Sequence, residues 1–73
     1  SKNNSPKIAF PRQVAMYLIK ELTNLSLPEI GKEFGNKHHT TVLYSIQKIS
    51  EMRKKDEEFD KLISSYISFF RYG

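Results

Sequence analysis

The sequence predicts an all-α domain of about four helices that contains a helix-turn-helix. Three observations lead there. Apolar residues recur with helical spacing in separate segments, and nothing alternates with period two over a useful length. Capping residues and a glycine turn punctuate those segments where helices should start and stop. The chain has 73 residues and no cysteine, so one small core must hold by apolar packing, without disulfides or a cysteine-based zinc site.

Residues 1–8 are polar, carry Pro6 and read as an extended arm or linker from a preceding domain, which leaves 9–73 as the domain proper. Pro11 is expected to open the first helix, PRQVAMYLIKELT, because proline is tolerated in a first helical turn. Val14, Leu18 and Leu22, with Ala15 beside them, form its expected apolar stripe; Arg12, Gln13, Lys20 and Glu21 form its wetter side. Thr23-Asn24 should end it. Ser26-Leu27-Pro28-Glu29 is a capping box, in which the Ser26 hydroxyl accepts from the Glu29 amide and the Glu29 side chain reaches back. A short helix follows through Ile30 and Phe34, with Gly35 where a left-handed residue should close it.

The next helix is expected from about His38–Thr40 to about Lys54. Val42, Ile46 and Ile49 form its inner stripe, and Thr40, Tyr44, Gln47, Lys48 and Glu51 its polar side. Asp56 is a candidate N-cap for a last helix of about Glu57 to Arg71. That helix places Phe59, Leu62, Ile63, Tyr66, Ile67 and Phe70 on one stripe, which should pack back across the domain. Its polar side lacks the dense lysine face of membrane anchors.

A formal net charge of +4 and a pI near 9.5 favour an anionic partner. No apolar run is long enough to span a bilayer and no signal peptide is visible; the absence of cysteine fits a reducing compartment. The chain reads as a piece of a larger cytoplasmic protein. The stretch GNKHHTTVLY admits three chemistries. As a metal site it is poor: adjacent helical side chains point about 100° apart, and no third histidine or cysteine exists. As a catalytic site it lacks a nucleophile–base–orienter geometry and a glycine-rich phosphate loop. As the tip of a recognition helix it is well made. Thr offers a hydroxyl and a methyl, His a flat donor or acceptor, and the free amides of a helix start favour phosphate. No catalytic residue, metal or cofactor is expected.

FPRQVAMYLIKELTNLSLPEIGKEFGNKHHTTVLYSIQKI closely resembles the C-terminal DNA-binding domains of the DnaA family of bacterial replication initiators, densely from Ile8 to about Ile49. The resemblance implies a helix-turn-helix of Trp-repressor-like shape and binding to double-stranded DnaA boxes of TTATNCACA type, in a nucleoid-associated protein whose upstream domain is an ATPase. It places major-groove contacts at Pro28, His38, His39, Thr40 and Thr41. Phosphate contacts and their supports map to Arg12, Gln13, Lys20, Ser26, Leu27, Lys37 and Lys48, and a minor-groove arm maps to Lys2, Asn4 and Lys7.

Three departures stand out. Lys37-His38 replaces the usual Arg-Asp, and a neutral histidine accepts through only one nitrogen, so base preference should shift there. Asn4 takes the place of a minor-groove arginine, so arm anchoring should be weaker. Tyr44-Ser45 replaces His-Ala, with Tyr44 either a phosphate or thymine-methyl contact or an inert surface ring. The fragment is expected to be a monomer on an asymmetric box. A repressor-type regulator would instead use a dimer and a palindrome; a protein-interaction module would show little salt dependence.

Overall fold

The computed structural model describes residues 6–73. The order is α1 (Pro6–Leu22), α2 (Leu27–Glu33), α3 (His39–Lys55) and α4 (Glu57–Tyr72), with no strand among the described residues. The all-α architecture expected from the sequence is therefore the one observed.

α3 is the central element, packed against each of the other three helices. Met16 of α1, Ile30 of α2 and Val42 of α3 are fully buried and meet at the core, with Ile19, Leu25, Leu27, Phe34 and Ile46 packed around them. Ile49 and Ile63 continue the buried set towards α4.

α1 starts five residues before the expected Pro11. Pro6 takes the first helical position, where a missing amide costs nothing. Pro11 sits inside the helix and forfeits a bond to the Lys7 carbonyl. The added turn brings Phe10 against Phe59 of α4, ring centroids 6.1 Å apart. Of the expected arm, Lys7 is thus helical, whereas Lys2 and Asn4 lie outside the described residues.

The phase of α1 also differs. Met16 is its fully buried residue; Val14, Leu18 and Leu22 are only half-buried. Gln13, expected on the wet side, is 7 % exposed, and its Oε1 is buried without a hydrogen-bond partner. Ala15, Leu18, Ile19 and Leu22 instead line an apolar groove closed by Phe70. Two apolar stripes compete on this helix, and the inner one is the less conspicuous.

α2 begins as expected. Ser26 Oγ accepts from the Glu29 amide at 3.2 Å, and Glu29 Oε1 accepts from the Ser26 amide at 2.9 Å. The bond from the Ser26 amide, then its hydroxyl, holds the Glu29 carboxyl below its ordinary value. A lowered pKa in the fold means this contribution is complete at neutral pH and is lost as pH falls through that lowered value. Ser26→Ala should cost about 1 kcal/mol. A thermal melt should fall by roughly 4–8 °C; an unchanged melt would show that α2 does not depend on its cap.

α4 packs back as expected, though only in part. Ile63 is buried and Phe59 and Ile67 half-buried, while Leu62, Tyr66 and Phe70 remain exposed. Its far end is tied to α1 by Arg71, which donates to the Glu21 carbonyl at 3.3 Å. Arg53 of α3 joins three helices. It donates to Asp60 Oδ1 at 2.6 Å, Tyr17 Oη at 2.9 Å and Ser64 Oγ at 2.8 Å.

Candidate nucleic-acid interface

The tip of α3 is set by how α2 stops. Phe34 caps α2, and Gly35 (φ 77°) and Asn36 (φ 60°) both take left-handed conformations. The turn folds back over Gly31, whose carbonyl accepts from the Phe34 amide at 3.1 Å and the Lys37 amide at 2.8 Å. A side chain on Gly31 would run into the Lys37 carbonyl, so glycine permits the close approach. Five residues therefore separate α2 from α3, and the chain turns sharply enough to expose the start of α3.

His38 is the N-cap of α3, in extended backbone conformation (φ −64°, ψ 149°). Its Nδ1 accepts from the Thr40 amide at 3.2 Å and lies 2.8 Å from Thr40 Oγ1. The His38 and His39 rings lie side by side, with centroids 4.3 Å apart and planes tilted by 34°. The helical divergence expected for two neighbours does not apply, because His38 stands outside the helix. Among the described residues, no group of three or more His, Cys, Asp or Glu is placed to hold a metal ion.

Behind this tip the helix is anchored. Val42 and Ile49 are fully buried, and so is Ser45, whose hydroxyl donates to the Thr41 carbonyl at 2.9 Å. His38, His39 and Thr40 are exposed and Thr41 half-buried. Tyr44 is 60 % exposed, one turn further along.

The other expected contacts come from three elements. Pro28 and Ser26 are exposed and Leu27 is half-buried at the start of α2. Lys20 Nζ reaches the Leu25 carbonyl at 3.4 Å, which puts its charge at the entry to α2. Lys37 is half-buried in the turn and Arg12 half-buried on α1. Lys48 Nζ lies 6.0 Å from the Phe10 ring centroid, near the start of α1. Gln13 is withdrawn from the surface, as described above, so it stands behind these groups and does not face solvent with them.

Charge follows the same division. Residues 1–20 and 34–50 hold Lys2, Lys7, Arg12, Lys20, Lys37 and Lys48 and no acidic residue. All eight acids lie elsewhere, several in ion pairs: Asp60 with Arg53, Glu57 and Glu58 with Lys61, Glu21 with Arg71. Sequence reasoning missed Arg53, whose partners Asp60 and Ser64 lie across the junction of α3 and α4 and whose third partner, Tyr17, is 36 residues away.

No helix among the described residues is long and apolar enough to cross a membrane. Comparison with known proteins gives two findings. The family model described as the bacterial dnaA protein helix-turn-helix matches residues 1–49. Over 58 residues the chain is 57% identical to the chromosomal replication initiator protein DnaA of Rippkaea orientalis (strain PCC 8801 / RF-1), a match that covers 80% of this chain and 13% of that protein.

Proposed function

The chain belongs to the bacterial DnaA helix-turn-helix family, whose members bind DNA through this domain, and from that premise we propose that it recognises DnaA boxes of TTATNCACA type at a replication origin. One observation carries the reading. The N-cap and first turn of α3 expose His38, His39 and Thr40, while Val42 and Ile49 of the same helix are wholly buried. A helix held this way enters a major groove N-terminus first.

In this arrangement Pro28, His38, His39, Thr40 and Thr41 face base edges. Arg12, Lys20, Lys37 and Lys48 meet phosphates on either side, with Ser26 and Leu27 supporting the entry to α2. Gln13 acts from behind, by holding α1 in place. Lys2, Asn4 and Lys7 form the approach to a minor groove. Phosphate contacts supply affinity and register, and base contacts supply preference. The fragment acts as a monomer, and in the whole protein an ATPase domain uses it to position the initiator on the nucleoid.

Titrating the fragment against a TTATNCACA duplex and a scrambled duplex over a range of salt tests this. The box should bind on the order of 10³-fold more tightly. Four phosphate-facing cations should give a slope of about −4 in log K against log salt. Equal affinity for the two duplexes would remove the sequence-specific reading, and a flat salt response would remove the phosphate contacts.

A further inference from the structure

His38 carries information that its residue type alone does not. A neutral imidazole has one donor and one acceptor nitrogen, and hydroxyl partners do not decide which is which. Here the partner includes a backbone amide. The Thr40 N–H points at His38 Nδ1, and an amide can only donate. Nδ1 must therefore present its lone pair, and the ring proton must sit on Nε2.

The Thr40 hydroxyl, 2.8 Å from the same Nδ1, has to donate as well, since a nitrogen without a proton offers it nothing else. The His39 ring lies beside the His38 ring, with centroids 4.3 Å apart and planes tilted by 34°. His38 is exposed, and its remaining nitrogen bonds to no described residue. The single accepting atom of this side chain is thus consumed by the helix it caps.

We infer that His38 is a base-specificity residue that presents a hydrogen-bond donor, Nε2–H, to the major groove and selects against cytosine at the position it reads. This rests on the DNA-box reading above. A donor matches purine N7, guanine O6 or thymine O4, whereas the major-groove edge of cytosine offers only its amino group, itself a donor. Two donors facing each other leave both unpaired, which penalises cytosine actively. Thr40, having given its proton to His38, offers an oxygen acceptor beside that donor.

Two variants separate this from a merely structural cap. Asp and Asn both serve well as N-caps, so His38→Asp and His38→Asn should fold, as thermal melts will verify. Asn caps with its oxygen and turns its NH₂ outward, a donor like Nε2–H. Asp caps with one oxygen and turns the other outward, an acceptor. Each protein is titrated against box duplexes carrying all four bases at each position in turn. At one position the wild type and His38→Asn should both disfavour cytosine, by on the order of 10-fold. His38→Asp should rank cytosine first there.

The same base order in all three proteins overturns the inference, although box binding itself would stand. Failure of the wild type to prefer any box overturns the origin-box reading and this inference with it. Long-range ¹H–¹⁵N spectra of the free fragment in mildly alkaline buffer give a readout independent of DNA. His38 should show a protonated Nε2 and a bare Nδ1; the opposite tautomer would end the proposal.

Discussion

Gly31→Ala should destabilise the domain by about 2–4 kcal/mol, a large share of what a domain this size holds. The sign is what makes the result informative. Inside a helix, alanine normally exceeds glycine by about 1 kcal/mol. Here the new methyl would meet the Lys37 carbonyl oxygen, with the carbonyl carbon at 3.2 Å and Val42 Cγ2 at 3.7 Å. The first two are backbone atoms and cannot rotate aside. Relief requires moving the turn, and the turn is held by the bond from the Lys37 amide to the Gly31 carbonyl. Urea denaturation should show the loss directly. Box affinity should fall even where the variant remains folded, because moving Lys37 moves the His38 cap. A variant as stable as the wild type would show that α2 and the turn do not approach as described.

Arg53→Ala should cost about 2–3 kcal/mol, for a different reason. The guanidinium fork spans Tyr17 of α1 and Asp60 and Ser64 of α4 from its place on α3. Asp60, followed by Tyr17, raises the pKa of an already basic group, so the clamp stays charged at any ordinary pH. The Asp60 side chain is 44% exposed and recovers much of its solvation when the partner goes; the loss concentrates on Tyr17 and on packing. Arg53→Lys should recover only part of the stability, since an ammonium cannot serve three acceptors in a plane. A double-mutant cycle with Tyr17→Phe should give a coupling of about 1 kcal/mol. Arg53 lies roughly 21 Å along the helix from His39, so box affinity of the folded Arg53→Ala protein should barely change. Loss of affinity with stability intact would mean that the residue acts on DNA.

Local features were legible in the sequence. The Ser26–Glu29 box, the left-handed Gly35, the start of α3 and the Asp56 cap depend on neighbours a few residues away, and each is where the pattern put it. Features decided by distant partners were not legible. Two prolines could each open α1, and contact between Phe10 and Phe59 accompanies the earlier start. Gln13 is buried despite its polarity because α1 turns Met16 inward. Ser45 is buried by the helices packed on α3, its hydroxyl satisfied within the helix by the Thr41 carbonyl. The stripe on α4 exceeds what α1 and α3 can cover, which periodicity alone does not measure. At the candidate site the residue types were readable, but not that His38 would spend its acceptor on its own helix. That took the position of the Thr40 amide relative to His38 Nδ1.

The division of charge bears on time as well as on affinity. Cations without acids gather in residues 1–20 and 34–50, while the acids elsewhere are partly neutralised by ion pairs. A duplex within about 10 Å, the screening length at moderate salt, therefore meets a molecule whose field is uneven. On the reading proposed above, that field exerts a torque before any contact forms and turns the α3 tip towards the groove. Fewer collisions should then be wasted on the wrong side, and the search for a box should begin with the proposed reading end already forward.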